Sequence, residues 1–368
     1  MKEISKQRTI AFISPGGAGK TTLAESILYL TKVTNRLGKV GDGTSILDFE
    51  PEEIKRGISI NAAFHAFPWK KHDIHFVDTP GDENFLNDTK TCLQGVDGVV
   101  VLVDAVDGVK VGTEKVWGFA DSYKLPRLVL VNKMDRERAD FFNCLEELGR
   151  TFKIACLPVQ VPLGAEMNFK GLVDLLDRKA YLYDDQGKFT AVEIPEEMKD
   201  AVEKWREKLV ESIAEADDEL LEKYLEAGEL SSEELVQGLV AAVRNRTLAP
   251  VLCAAGSKLI GLPHLLDKIN ECLPSPAERG TILGKSAAGD DEIPREPSPE
   301  APFCGLVIKT ITDPFAGQLS IFRVFSGTLK PDSTVYNPNT ETKERFGQLL
   351  ALEGKQQKTL EEAGPGVL

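Results

Sequence analysis

The sequence predicts a doubly wound α/β domain with a mostly parallel sheet, interrupted by an α+β insert and followed by the start of an antiparallel β-barrel domain. Three observations carry this prediction. GVVVLVDA at 98–105 and RLVLVNK at 127–133 are β-branched, nearly continuous apolar runs, the pattern of strands buried on both faces of a parallel sheet. Segments with apolar residues at helical spacing alternate with such runs. After residue 302, GLVIKTITDPFAGQLSIFRVFSGTLKPDSTVYN alternates short strands with turn residues.

The elements follow in order. A short apolar strand runs from Thr9 to Ile13, then the glycine-rich SPGGAGKTT, then a helix through Leu23, Ile27 and Leu30. NAAFHAF at 61–67 and IHFVDT at 74–79, separated by PWKKHD, predict an antiparallel pair. The two buried strands come next, with helices between. PVLCAAG at 250–256 is a further buried strand and GLPHLLDKINECL the helix after it. Residues 1–157 and 249–276 are therefore assigned to one domain, and 158–248 to an insert. The insert opens with strand-rich text (LPVQVPLG, AYLYDDQGKFTAVEI) and continues in charged helices. Met198, Val202, Trp205, Leu209 and Ile213 define one amphipathic helix, and Ser231-x-x-Glu234 is a capping box that opens another. Residues 277–301, rich in Pro, Gly and charge without periodicity, predict a linker, and 302–368 an incomplete barrel, so the chain is expected to be the N-terminal part of a longer protein.

Composition narrows the function. The chain has 368 residues, 42% hydrophobic and 28% charged, with no apolar run of membrane-spanning length. A membrane protein is therefore not expected. The N-terminus lacks the hydrophobic stretch of a signal peptide, so a cytoplasmic protein is expected. Cys92, Cys144, Cys156, Cys253, Cys272 and Cys304 are scattered with no C-x-x-C pair, which suits reduced, buried thiols. The net charge of −14 argues against free-standing nucleic-acid binding. Sixteen acids and five bases between 193 and 235 place −11 of that charge on one segment, either a solvated face or a docking surface for a basic partner.

Three motifs carry chemistry. Ser14, Pro15, Gly16, Gly17, Ala18, Gly19, Lys20, Thr21 and Thr22 follow a strand and open a helix, the setting of a phosphate-binding loop. Glycines let backbone N–H groups face a β-phosphate, the helix N-terminus adds positive potential, and Lys20 reaches the β- and γ-phosphates. Thr21 can ligate Mg²⁺. The strict motif has glycine where Ser14 stands. Asp78-Thr79-Pro80-Gly81 ends a strand; Asp78 can hold Mg²⁺ through water, and Gly81 offers an N–H to a γ-phosphate. Asn132-Lys133-Met134-Asp135 ends the next buried strand. The Asp135 carboxylate can accept two hydrogen bonds from guanine that adenine cannot give, a discrimination of roughly a thousandfold or more. Asn132 would tie this loop to the phosphate loop while Lys133 lies along the base. The motifs in this order predict a GTP/GDP site with Mg²⁺, and NKMD argues against an ATPase or small-molecule kinase.

DGTSILDFEPEEIKRGISI (42–60), DTPG with NKMD, and PVLCAAGSKLIGLPHLLDKINECLPSP (250–276) together resemble the translational GTPase elongation factor G, in particular its elongation factor G-like paralogues. The resemblance covers almost the whole chain. It implies a ribosomal factor that couples GTP binding and hydrolysis to a step of protein synthesis, with Lys20, Gly81 and Asp82 at the catalytic positions. It also implies that Ser59 takes the place of the family's Mg²⁺-ligating threonine. In AAGSK, Gly256 and Ser257 back the base, with Ala255 and Gly256 replacing the family's Ser and Ala. The acidic insert would meet the stalk protein of the large ribosomal subunit. Two departures stand out: Gly17 replaces an Asp of the phosphate loop, and Asp82 replaces the histidine that orients the attacking water. His65, His72, His75 and His264 all lie elsewhere. The alternative is a slow or non-hydrolysing GTP/GDP-binding regulator at the same ribosomal site.

Overall fold

The computed structural model describes residues 3–286, 292–313 and 317–368. Its first part runs β1 (Gln7–Ile13), α1 (Lys20–Leu30), α2 (Pro51–Arg56), β2 (Ala63–Trp69), β3 (His72–Asp78), α3 (Leu86–Cys92), β4 (Gly98–Asp104), α4 (Val111–Ser122), β5 (Arg127–Asn132), α5 (Phe141–Thr151) and β6 (Ala155–Pro158). There follow β7 (Gln160–Leu163), β8 (Gly171–Asp174), β9 (Lys179–Tyr183), β10 (Phe189–Val192), α6 (Lys199–Ala214), α7 (Asp218–Ala227) and α8 (Ser232–Arg244). The chain then returns through β11 (Leu248–Cys253), α9 (Leu262–Cys272) and α10 (Pro276–Arg279). The last part contains β12 (Ile282–Lys285), β13 (Glu292–Arg295), β14 (Cys304–Asp313), β15 (Gly317–Ser326), β16 (Thr334–Asn337), β17 (Thr342–Arg345), β18 (Leu349–Glu353) and β19 (Gln356–Leu360).

Seven strands form one sheet in the order β2-β3-β1-β4-β5-β11-β6. All neighbours are parallel except β2 and β3. Every residue of β1, β4, β5 and β11 is buried, because helices cover both faces. Alternation divides the core: Ile10, Phe12, Val100 and Leu102 pack toward α1 and α9, while Ala11, Ile13, Val99 and Val101 pack on the opposite side with Val116 of α4 and Phe141 of α5. This is the architecture expected of a phosphate-loop α/β domain. Each parallel strand points its C-terminal end to one rim, and the glycine loop, the Asp78 segment and the Asn132 loop leave from that rim.

The details depart from the sequence reading in three places. The β2–β3 turn is tighter than PWKKHD suggested, with Trp69 opposite His72, and Lys70 takes φ +53° to close it. β6 belongs to the main sheet through its pairing with β11, so the expected start of the insert at 158 falls inside a strand. The linker also holds more order than its composition implied: α10 is opened by a Ser275–Glu278 capping box, and β12 pairs with β13. Four-residue strands are too short for their alternation to stand out in sequence. The part of the linker at 287–291 lies outside the described residues.

Within the insert, β10-β9-β8-β7 form an antiparallel sheet; α6 packs on α8 and on β6 of the main sheet, and α8 packs on α9 and β11. Val202, Leu209 and Ile213 of α6 are buried, with Trp205 and Met198 packed alongside, as the spacing predicted. Ser231 caps α8 with the reciprocal Glu234 bond. After the linker, β14–β15, β16–β17 and β18–β19 are three antiparallel pairs around a small core of Val324, Leu329, Leu349 and Ala363.

Candidate nucleotide site

Residues Ser14–Gly19 form the turn from β1 into α1. Gly17 and Gly19 take φ +86° and +90°, backbone conformations that side chains disfavour. A Cβ on Gly19 would also stand 2.9 Å from the Asn132 Nδ2, so glycine is required there twice over. Lys20 is buried beneath the loop and donates to Ser14 O (3.1 Å), Ser14 Oγ (2.9 Å) and Pro15 O (3.2 Å). Ser14, the departure from the strict motif, thus contributes a hydroxyl to the lysine. Burial lowers the Lys20 pKa, opposed by Asp78 and Asp48. Thr22 lies in the first turn of the helix beside Thr21 and accepts from Ser26 Oγ through its carbonyl.

The segment after β3 is locked by two hydroxyls: Thr79 Oγ1 donates to Phe12 O and Thr89 Oγ1 to Pro80 O, each at 2.7 Å. Gly81 lies against the phosphate loop so closely that a Cβ there would collide with Lys20 Nζ and stand 2.7 Å from Gly16 N. Asp82 faces its own helix: its carboxylate accepts from Asn84 N (2.9 Å) and Asn84 Nδ2 (2.8 Å), capping a turn at Glu83–Phe85. The histidines sit on β2 (His65), β3 (His72, His75) and α9 (His264), none on the Gly81 loop.

An oxygen-rich pocket adjoins Lys20. Thr21 Oγ1 and Ser59 Oγ are 3.0 Å apart. Asp78 is buried with both carboxylate oxygens lacking a hydrogen-bond partner, and Asp48 is buried with Oδ2 in the same condition. Burial raises the Asp78 pKa, with repulsion from Asp48 adding to it and Lys20 opposing; burial likewise pushes Asp48 up to about 6. Carboxylates left so are expensive without a counter-ion. The donor set is all oxygen and suits a hard cation such as Mg²⁺. Among the described residues no group of three or more His, Cys, Asp or Glu is arranged to hold a metal, so an ion here would complete its shell with waters and phosphate oxygens.

Two carboxylates absent from the sequence reading fix the loop that carries Asp48 and Ser59. Glu25 of α1 accepts from Ser45 Oγ (2.5 Å), Ile46 N (2.7 Å) and Leu47 N (3.2 Å) through one oxygen. Glu53 of α2 accepts from Ile60 N (2.9 Å) and Asn61 N (3.0 Å). Only the periodicity of α1, which turns Glu25 one turn below Thr21, hints at the first.

Asn132 joins three segments: its Nδ2 donates to Ala18 O (3.1 Å), and its Oδ1 accepts from Gly256 N (3.0 Å). Lys133, at φ +66°, donates to Gly17 O (2.6 Å) and to Asp104 Oδ2 (2.7 Å), so Asp104 at the end of β4 is a further support. Asp135 is buried, with Oδ1 unpartnered and Oδ2 3.5 Å from Lys258 Nζ. Ser257 is exposed on the short turn Gly256–Lys258 that faces it, and Ala255 pairs with Ile260.

A glycine loop between strand and helix, a buried acidic strand end and the Asn132–Asp135 loop on one rim of a parallel sheet are the layout of a P-loop guanine-nucleotide-binding domain. Comparison agrees: residues 5–275 match the family model of the elongation factor Tu GTP binding domain, and residues 302–368 that of elongation factor G domain 2. The chain belongs to the translational GTPases of the elongation factor G type. It is also similar to a protein of Thermus thermophilus of known crystal structure, at 34% identity and a TM-score of 0.85, over 98% of this chain and 51% of that one. The chain thus spans about half the length of that relative.

Proposed function

We propose that this protein binds GTP and GDP with Mg²⁺ in the cleft between Ser14–Thr22, Asp78–Gly81, Asn132–Asp135 and Gly256–Ser257, and hydrolyses GTP on the ribosome to drive a step of protein synthesis in the cytoplasm. The succession of a translational GTP-binding domain and an elongation factor G second domain in one chain carries the ribosomal reading. Lys20 leaves the loop carbonyls for the β- and γ-phosphates, a charge-assisted exchange. Thr21 and Ser59 offer hydroxyls to Mg²⁺ and Asp78 holds its water shell. When bound, the ion neutralises charge on the phosphate oxygens. Gly81 presents its N–H to the γ-phosphate, and Asp135 with Gly256 N reads guanine.

A slower regulatory factor at the same site is the second reading, and the capping bond of Asp82 favours it, since no imidazole stands there to orient water. Multiple-turnover GTP hydrolysis with and without ribosomes separates the two. Strong ribosomal stimulation supports the first, nucleotide binding without turnover the second, and failure to bind either guanine nucleotide overturns both.

The acidic helices of the insert would dock the large-subunit stalk protein. Association should then slow steeply with added salt, because a field of this density acts on the on-rate. Rates indifferent to salt would mean that 193–235 is only a solvated face.

A further inference from the structure

The residues expected around a γ-phosphate all belong to the first domain, yet one lysine from the strand after the linker contacts the segments that follow two of them, Ser59 and Gly81. β14 carries a register shift between Val307 and Lys309 in its ladder with β15. Such a bulge re-aims side chains. Here Ile308 is buried and packs against Gly95, where a Cβ would stand 3.0 Å from its Cδ1, and Lys309 turns toward the first domain. Lys309 Nζ donates to Asp88 Oδ2 of α3 at 2.5 Å and to Asn61 Oδ1 at 3.1 Å. The same Asp88 oxygen accepts from Ala62 N at 2.6 Å.

Asn61 lies two residues after Ser59, and α3 follows directly on the turn that Asp82 caps. One ammonium group therefore holds the ends of both loops that flank the expected γ-phosphate. A second contact grips the far end of the first loop: at the β18–β19 turn Gly354 N donates to Phe64 O (2.9 Å) and Lys355 N to Ile46 O (3.3 Å). Gly354 sits at φ +61°, and a Cβ there would collide with the Ile46 carbonyl. Ile46 N is the group that Glu25 holds from the other side.

We propose that Lys309 is a positioning residue for the GTP-bound site, tying the Ser59 and Gly81 loops to each other and to the second domain. The proposal rests on the reading of the cleft as a GTP site. Lys309 touches neither nucleotide nor ion; it acts through Asn61 and Asp88. Its effect should therefore be confined to the nucleotide that has a γ-phosphate to be enclosed.

The test is equilibrium and stopped-flow binding of fluorescent GTP and GDP analogues to the whole chain carrying Lys309→Met, Lys309→Arg or Asn61→Ala, with thermal unfolding alongside. Lys309→Met should weaken GTP about tenfold, a loss typical of one charged hydrogen-bonded contact, and leave GDP within about twofold. Lys309→Arg should restore most of the GTP affinity, and Asn61→Ala, which spares the ion pair, should give a smaller loss of the same kind. Equal affinities for parent and Met variant would overturn the proposal, as would a parallel loss of GTP and GDP in step with stability. If Lys309→Met does not fold, Asn61→Ala decides by the same ratio. A parent chain that binds neither nucleotide overturns the cleft assignment and this proposal with it; a parent that binds both, with variants unchanged, overturns this proposal alone.

Discussion

Asp135 has one buried oxygen with no partner and a second only 3.5 Å from a lysine, so its acceptor capacity is open to a base edge. Replacing Asp135 by Asn should shift preference from guanine to xanthine nucleotides, because the amide donates to the oxygen that stands in place of the 2-amino group. Competition binding with xanthosine and guanosine diphosphates checks this; unchanged preference would remove Asp135 from the base site. Asp82 makes the opposite kind of statement. Its carboxylate is occupied in capping Asn84, and a carboxylate beside phosphate oxygens would add like charge. Asp82→His should raise ribosome-stimulated hydrolysis about tenfold if water orientation supplies ~1.4 kcal/mol. Loss of hydrolysis would show instead that the carboxylate works in the reaction. Residues in contiguous motifs, such as the glycine loop and the Asn132 loop, were legible because a local backbone shape is all that they need. Asp48, Glu25 and Asp104 were not, since burial and partners from distant segments give them their role, and neither is written in neighbouring letters.

Between elements, the seam joining the insert to the first domain is aromatic and titratable. The Tyr183 hydroxyl of β9 shares a hydrogen bond with His264 Nδ1 of α9, and Tyr181 and Phe189 close around the ring. Burial depresses the His264 pKa from 6.5 to about 4, against the pull of Asp267 and Asp177. The folded protein thus binds fewer protons than the unfolded chain between those values. Stability is fully present above pH 6.5 and falls as pH drops through that window toward 4. Urea unfolding across this range should show that slope in the difference between the parent and His264→Gln, since raised carboxyls such as Asp48 contribute to both alike; a difference that does not change with pH would assign the effect to other groups. The helices α6 and α8 were plain in the sequence because each carries a long periodic face and α8 a capping box. The edge strand β6 was not, for four residues give too little alternation, and its partner β11 lies on the far side of the insert.

Across the whole molecule, the two domains are pinned by a buried ion network: Asp97, ahead of β4, receives Arg323 of β15 at 2.6 Å and Arg279 of α10 at 2.9 Å. Removing one member of such a group leaves a charge without its partner in low dielectric, at about 3–5 kcal/mol. Arg323→Met should fall at the lower end, near ~3 kcal/mol, since Arg279 still holds Asp97; a change below about 1 kcal/mol in chemical denaturation would show that the network is not stabilising. Nothing in the sequence marks these arginines, whereas the class of each domain was plain from strand length and patterning alone. The strand order has a further consequence, for the history of the chain rather than its equilibrium state. β11 slots between β5 and β6 although it is made last, and Gly256 beyond it completes the hydrogen bonds of Asn132. While the ~90 residues of the insert emerge, for several seconds at roughly 5–20 residues per second, β5 presents a naked apolar edge and β6 has no neighbour. A nascent chain in that condition needs its exposed edge shielded, and the bond that ties Gly256 to the Asn132 loop cannot form until residue 256 has left the ribosome that made it.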